Sequence, residues 1–303
     1  MTIEALRTPE ERFRLLPRFP YAPRHADDLP GYEGLRMAWV DEGPRDARRV
    51  FLCLHGEPTW GYLYRKMLPV FVAAGHRVIA PDLFGFGRSD KPVDESVYTI
   101  DFHRGSLLAW IDRLDLRGIA LVCQDWGGIL GLTLPMDRPD RFTHALVMNT
   151  GLPIGEPVSR GFAAWKAFAA AAPEIPVAGL VASDAQGDFD LLDAVAYDAP
   201  FPDDRYKAGV RRFPQLVPVE PGMEGIELMR RARAFWANDW TGESFMAIGL
   251  RDAVLGRDVM HALRGTIRGC PEPMEVPEAG HFVQERGEPI ARAALAHWGL
   301  GPA

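Results

Sequence analysis

The sequence predicts an α/β fold, with a mostly parallel sheet and helices on both of its faces. Short β-rich runs alternate with longer helix-like runs, and this alternation is typical of such sheets. Of the 303 residues 47% are hydrophobic and 25% are charged, an ordinary globular composition that can form a sizeable core. Ligands of such sheets bind beyond the carboxyl ends of the strands, where we expect the functional residues.

Seven runs are predicted to be strands and three intervening segments to be helices. The strands are Leu35–Val40, Val50–Leu54, Arg77–Ala80, Ile119–Cys123, Ala145–Met148, Phe245–Gly249 and Met274–Val276. The helices are Leu63–Ala74, Phe102–Leu114 and Gly127–Asp137. The alternation stops at residues 152–225, which lack a clear strand and are rich in Ala, Pro and aromatic residues. We therefore expect a helical cap domain at 152–225, inserted into a core domain of residues 1–151 and 226–303.

Charge, hydropathy and cysteine usage exclude several classes of partner. A formal net charge of −7 argues against a nucleic-acid partner. No run approaches the ~20 apolar residues of a membrane span, and the first residues lack the apolar stretch of a signal peptide. Cys53 and Cys123 lie in predicted strands and Cys270 in a predicted loop, which favours free thiols in a reducing compartment. We expect a cytoplasmic protein without a membrane partner.

The segment Leu121–Gly131 has the layout of a nucleophile elbow, a sharp turn that holds one reactive side chain above the sheet. Asp125 stands where G-x-S-x-G has its serine, with Gly127 two residues later. A carboxylate that attacks saturated carbon forms an ester that water can hydrolyse, whereas a serine would form a stable ether. Asp125 therefore predicts displacement of a halide or an epoxide oxygen. The alternative is an ordinary turn in which Asp125 only caps the helix.

Turnover of such an ester requires a base for water and a group that orients the base. His281 follows the last predicted strand and comes after the nucleophile, as the α/β-hydrolase order of nucleophile, acid and histidine requires. Asp252 follows the strand before it and is the predicted acid, because the alternative position holds the uncharged Asn149. Asp258 is the second candidate, although a place at a helix N-terminus explains it better.

Two further groups are expected near the elbow. The His-Gly pair that precedes Glu57 is typical of an oxyanion-hole turn, so the backbone N–H groups of Glu57 and Trp126 are predicted to stabilise an oxyanion, with His55 structural. A leaving halide needs neutral donors, which the indoles of Trp126 and Trp165 can provide. The alternative for Trp165 is packing within the cap.

The sequence offers no site for an organic cofactor or a metal. The loop Pro81–Asp90 contains G-x-G, but Asp90 stands where a dinucleotide fingerprint has its third glycine. Histidines and cysteines also lack the spacing of a metal site. We therefore expect a reaction without a cofactor.

Four segments together resemble the haloalkane dehalogenases: His55–Trp60, Phe84–Pro92, Gln124–Gly128 and Gly280–Phe282. The resemblance covers nearly the whole chain and is weakest in the cap between residues 168 and 196. It implies an α/β-hydrolase fold with an eight-stranded sheet, and hydrolytic cleavage of carbon–halogen bonds through an alkyl-aspartate ester. It also implies Asp125 as the nucleophile, His281 as the base, Asp252 as the acid, and Trp126 with Trp165 as the halide site.

The resemblance further implies a small apolar pocket and a simple set of partners. Its lining would be Phe162, Phe213, Pro214, Val217, Val254 and Leu255. Ile129 stands where similar relatives carry an aromatic residue, which leaves more room near the elbow. The implied partners are a small halogenated alkane, water and a halide ion, and we expect a monomer.

Three other functions remain open at this point. An epoxide hydrolase shares the elbow aspartate and histidine, but it protonates its leaving oxygen with cap tyrosines, and only Tyr197 and Tyr206 are available here. A fluoroacetate-type dehalogenase would need cationic groups for the substrate carboxylate. A non-catalytic small-ligand receptor of the same fold often lacks one triad residue, whereas this chain has a candidate for each.

Overall fold

A computed structural model describes residues 3–185 and 189–301, and it contains the expected eight-stranded, mostly parallel sheet. The strands are β1 (Ala5–Leu6), β2 (Arg24–Ala26), β3 (Met37–Glu42), β4 (Val50–Leu54), β5 (Arg77–Asp82), β6 (Lys91–Pro92), β7 (Ile119–Gln124), β8 (Phe142–Met148), β9 (Glu243–Gly249) and β10 (Met274–Val276). The sheet order is β10-β9-β8-β7-β4-β5-β3-β2, in which β2 and β3 are antiparallel to their neighbours. The predicted fold class is confirmed.

The described part of the chain contains ten α-helices, some packed on the sheet and others in the cap. They are α1 (Leu68–Ala73), α2 (Ile100–Arg113), α3 (Trp126–Gly131), α4 (Arg160–Ala171), α5 (Val177–Ala185), α6 (Leu191–Asp198), α7 (Ala208–Leu216), α8 (Ile226–Asn238), α9 (Arg257–Thr266) and α10 (Gly287–His297). Helices α4 to α7 occupy the expected cap, and no strand occurs in residues 152–185 or 189–225. The domain boundaries at 152 and 225 stay a prediction.

Two predicted helices were too long. Residues 63–74 divide into a short 3₁₀ helix ending at Tyr64 and helix α1, which has Pro69 in its first turn. Helix α3 ends at Gly131 rather than at residue 137. Pro135 cannot continue the helix, because it lacks an N–H and restricts the residue before it. The apolar pattern continues past Gly131 because the following turns are also buried.

Strand β7 lies in the middle of the sheet and carries the elbow at its carboxyl end. It pairs in parallel with β4 on one side and β8 on the other, and all six of its residues are buried. Strands β9 and β10 also run parallel, with Gly249 beside Val276. Because parallel strands end at the same edge, the segments after β7, β9 and β10 meet there. This places Asp125, Asp252 and His281 on one side of the sheet.

The three cysteines are free and buried, Cys53 in β4, Cys123 in β7 and Cys270 in the loop before β10. Their predicted positions in strands and a loop are therefore confirmed. Burial raises the pKa of the Cys270 thiol to about 11, so it is protonated at neutral pH. Across residues 3–185 and 189–301, no helix combines the length and apolar character needed to cross a membrane.

A buried ionic network joins the cap to the core. Arg65 is fully buried, and its guanidinium donates two hydrogen bonds of 2.7 Å to the carboxylate of Glu285. Two residues of α6 complete the network: Asp193 lies 3.1 Å from Arg65, and Tyr197 donates to Glu285 at 2.6 Å. Burial opposes the charge of Glu285, but Arg65 holds its pKa below the usual range. Helix α6 is thus anchored to core charges.

We expect the substitution Glu285→Gln to lower the free energy of unfolding by about 3–5 kcal/mol, because it leaves the buried Arg65 cation without its main anion. Urea denaturation at pH 7 measures this loss. The matched control is Glu288→Gln, whose partner Arg292 is 2.8 Å away on the exposed surface. The control should cost less than about 1 kcal/mol. Equal losses in both variants would show that the network does not stabilise the fold.

Candidate active site

Asp125 occupies a strained turn between β7 and α3. Its backbone angles, φ 49° and ψ −127°, lie in a region that residues with side chains rarely adopt. The turn is held by hydrogen bonds from the Asp125 N–H to the Asn149 carbonyl and from the Thr150 hydroxyl to the Asp125 carbonyl. Gly127 is required here, since a Cβ would lie 1.9 Å from the Leu54 carbonyl oxygen. The chain therefore makes the elbow turn that the sequence predicted.

The Asp125 carboxylate is directed toward the oxyanion turn and not toward its own helix. Its Oδ1 accepts a 2.8 Å hydrogen bond from the Glu57 N–H, and the side chain makes no capping bond to α3. Trp126 begins α3, so its N–H is one of the helix's first amides, which have no acceptor within the helix. This geometry argues against a capping role for Asp125 and leaves the carboxylate available for chemistry.

His281 and Asp252 form a hydrogen-bonded pair beside Asp125. The His281 Nδ1 lies 2.9 Å from Asp252 Oδ2, and the Nε2 lies 3.6 Å from Asp125 Oδ2. Burial disfavours the charge of Asp252, but His281 and hydrogen bonds hold its pKa below the ordinary value. An ionised Asp252 accepts from Nδ1–H and so leaves Nε2 facing Asp125. Asp258 lies in the first turn of α9, as its alternative assignment anticipated.

Two side chains that support this pair were not anticipated. Asn149 donates to Asp252 Oδ2 at 2.9 Å and to the Gly249 carbonyl at 3.1 Å, so it fixes the acid instead of replacing it. Gln124 donates at 3.0 Å to the His281 carbonyl, and its Nε2 lies 3.1 Å from the imidazole Nε2. Both residues were visible at the ends of predicted strands, but their partners are distant in sequence.

His55 stabilises the oxyanion turn and makes no hydrogen bond to the His281–Asp252 pair among the described residues. Its Nε2 accepts from the Leu83 N–H at 3.0 Å, and its Nδ1 lies 2.9 Å from the Gly56 carbonyl. Burial lowers the pKa of His55, so the neutral ring matches these two partners. This is the structural role that we expected for it.

A cavity of about 580 Å³ lies between this edge of the sheet and the cap. Asp125, His281 and the rings of Trp126 and Trp165 all line it. Six of the seven predicted pocket residues also line it, namely Ile129, Phe162, Pro214, Val217, Val254 and Leu255. The two expected tryptophans and a mostly apolar wall therefore border the same cavity as Asp125.

Phe213, the seventh predicted pocket residue, is not on the cavity wall. It is fully buried and packs behind Trp126, with ring centroids 4.6 Å apart. Successive residues of an α-helix point about 100° apart, so Phe213 and Pro214 of α7 cannot both face the cavity. Phe213 instead supports the position of the Trp126 indole.

The Glu57 side chain is a further polar group on the cavity wall. It was predicted only as a backbone donor. Burial, followed by the charge of Asp125, raises the pKa of the Glu57 carboxyl well above its ordinary range. The charge of His281 and a hydrogen bond with Trp165 oppose this rise less strongly. Burial and the Asp125 carboxylate therefore both disfavour a second negative charge at Glu57.

Comparison with known proteins places this geometry in a family. The family model for the alpha/beta hydrolase fold matches residues 49–288. A haloalkane dehalogenase of Psychrobacter cryohalolentis is 42% identical over 298 residues, which cover 96% of each chain. Haloalkane dehalogenase 1 of Mycobacterium tuberculosis is 40% identical over an alignment that covers 97% of this chain and 98% of the relative. The chain belongs to the haloalkane dehalogenase family. The resemblance seen in its motifs is therefore confirmed.

A solved structure supports the membership over the whole fold. Haloalkane dehalogenase DpaA from Paraglaciecola agarilytica NO2 superposes with a TM-score of 0.96 at 60% identity, with coverage of 97% of this chain and 98% of that one. That structure is described as tetrameric. The matched region includes the cap, where the sequence resemblance was weakest.

Burial opposes a charge on the His281 imidazole, but the charges and hydrogen bonds of Asp252 and Asp125 raise its pKa well above the ordinary value. Asp125→Asn removes one of these anions and should therefore lower the pKa of His281. An NMR titration of labelled imidazoles measures the change, with the His281 signal assigned from its absence in His281→Gln. The Asp258→Asn variant, which removes a cavity carboxylate outside the pair, should leave that pKa unchanged. A His281 pKa equal to wild type in Asp125→Asn would contradict the coupling.

Proposed function

We propose that the chain hydrolyses small haloalkanes to an alcohol, a halide ion and a proton, with Asp125 as the nucleophile. The observation that carries this proposal is the elbow carboxylate facing an apolar cavity that two indoles share. Membership of the haloalkane dehalogenase family supports the same reaction. The proposal requires no cofactor, since every step below uses side chains or backbone groups of this chain.

In the first half-reaction, an Asp125 carboxylate oxygen attacks the carbon in line with the carbon–halogen bond. That bond breaks, and the halide leaves with the bonding electrons. Trp126 and Trp165 line the cavity, and their indole N–H groups donate to the halide without transferring a proton. The apolar wall excludes bulk water and holds the carbon beside the carboxylate. The product is a neutral alkyl ester of Asp125.

In the second half-reaction, water attacks the ester carbonyl carbon while the His281 Nε2 takes its proton. The Glu57 N–H, which already donates to Asp125, and the Trp126 N–H stabilise the oxyanion. The bond from the carbonyl carbon to the alkyl oxygen then breaks, and the alkoxide leaves with the proton from His281. The Asp125 carboxylic acid that remains loses the net proton of the reaction and so becomes a carboxylate again. Esterification has meanwhile neutralised one anion that raises the pKa of His281, which favours the neutral base when water must be activated.

The cavity argues against the epoxide hydrolase alternative. Among the described residues no tyrosine lines the cavity. Tyr197 donates its hydroxyl hydrogen bond to Glu285, and Tyr206 lies in a 3₁₀ helix outside the wall. A leaving epoxide oxygen would therefore lack a tyrosine proton donor. A leaving halide needs no proton, so the neutral indole N–H donors are sufficient for it. Ile129 lines the wall near the elbow, and we propose that it leaves more room there for the alkyl chain of the substrate.

The location and the assembly state also remain proposals. The three free cysteines support a cytoplasmic location. The sequence favoured a monomer, whereas the 60% identical DpaA structure is described as tetrameric. Helix α6 exposes Leu191, Leu192 and Val195, an apolar surface that a second copy could cover. Sedimentation velocity on the full chain distinguishes the two states.

Halide release and diol formation, measured side by side with 1-chlorobutane, 1,2-dibromoethane and styrene oxide, test the reaction class. We expect halide from the first two substrates and little diol from the oxide. In His281→Gln the ester should accumulate, because its base is missing, and intact mass spectrometry should show an alkyl adduct at Asp125. Diol without halide would favour an epoxide hydrolase, and a folded protein inactive on all three would favour a receptor.

Trp165→Phe should lower kcat/KM for 1,2-dibromoethane by about 10- to 100-fold, since a hydrogen bond to a charged group contributes about 1.5–3 kcal/mol. Steady-state halide release measures the change. The matched control is Trp298→Phe, which removes the same N–H from a buried indole next to Phe245, away from the cavity. An unchanged kcat/KM in Trp165→Phe would remove Trp165 from the halide site.

A further inference from the structure

Asp184 of the cap accepts hydrogen bonds from the loop that carries His281. Its Oδ1 accepts from the His281 N–H at 2.8 Å, and its Oδ2 accepts from the Phe282 N–H at 2.9 Å. The carboxylate thus uses both oxygens on two successive backbone amides. Hydrogen bonds to an ionised acceptor are roughly twice as strong as neutral ones. The mechanism above assigns no role to this residue.

Two observations indicate that this contact is a built feature. Asp184 is in the last turn of α5, where a negative charge opposes the helix dipole, so its own helix does not favour it. Gly280, next to the histidine, leaves space for the carboxylate: a Cβ there would lie 2.1 Å from Asp184 Oδ1. The glycine in the loop and the aspartate in the cap therefore fit together.

The position of the His281 backbone matters for only one half-reaction. The attack of Asp125 on the alkyl carbon needs no base, whereas ester hydrolysis needs the imidazole to meet both Asp252 and the attacking water. Asp252 orients the His281 side chain through a 2.9 Å hydrogen bond, and Gln124 donates to the His281 backbone carbonyl at 3.0 Å. Asp184 fixes the remaining backbone group of the same residue, its N–H.

We propose that Asp184 is a positioning residue that places His281 for hydrolysis of the alkyl ester when the cap is seated on the core. The proposal rests on the proposed function. Asp184 touches no reacting atom, and it acts through the backbone of His281. Seating of the cap and alignment of the base are thereby one event, so water is activated only in a closed cavity.

The test is a pair of single-turnover rates with 1,2-dibromoethane, bromide release for alkylation and alcohol formation for hydrolysis. Asp184→Asn keeps the shape but turns an N–H donor toward a backbone N–H. We expect alcohol formation to fall by about 10- to 100-fold, the cost of a displacement near 1 Å, and bromide release to stay within about twofold of wild type. A selective loss of the second step is not expected from a merely structural defect.

Two further variants make the result specific. Gly280→Ala should reproduce the selective loss, and the double variant should add little to it, because both changes break the same contact. Asp198→Asn is the matched control, since its carboxylate accepts from the Ala178 N–H at 3.0 Å within the cap. The control should leave both rates unchanged.

Unchanged alcohol formation in Asp184→Asn, or an equal loss of both rates, would overturn the proposal. These outcomes are distinct from failure of the proposed function, in which wild-type enzyme would release no bromide at all. If Gly280→Ala does not fold, Asp184→Asn and its control still decide the question.

Discussion

The site depends on holding the Asp125 carboxylate at the wall of a mostly apolar cavity, where the proposed reaction needs it. A charge in such a place is costly unless hydrogen bonds and an opposite charge compensate it. Here the Glu57 N–H donates to it, the start of α3 lies beneath it, and the His281 imidazole lies 3.6 Å away. The strained backbone angles of Asp125 persist because the surrounding strands fix the path of the turn.

The same constraint explains the other polar groups near the cavity. A second carboxylate close to Asp125 would repel it, and burial together with this repulsion raises the pKa of Glu57. Asp252 is charged, but it lies on the far side of His281 and is satisfied by Asn149 and by the N–H groups of Val254 and Leu255. Negative charge is therefore separated by an imidazole that can accept or release a proton, as a two-step reaction through an ester needs.

The cap is attached to the core at two chemically different places. On the α6 side, Arg65 and Glu285 form a buried ionic network with Asp193 and Tyr197, which suits a permanent anchor. On the α5 side, the half-buried Asp184 accepts hydrogen bonds from the backbone N–H groups of His281 and Phe282. The cap is thus held to the core by side-chain charges on one side and by hydrogen bonds to backbone amides on the other.

The sequence by itself determined the sheet, the elbow and the order of Asp125, Asp252 and His281, because strand periodicity and turn chemistry are local. It did not determine which of two adjacent residues, Phe213 or Pro214, faces the cavity, since that depends on the rotation of α7. Nor could it reveal the roles of Asn149, Gln124 and Asp184, whose partners lie between about 97 and 157 positions away. Such contacts exist only after the sheet has brought its strand ends together and the cap has settled on them. Chemistry that lies in one turn can be read from the chain, whereas support from distant segments is decided by tertiary packing.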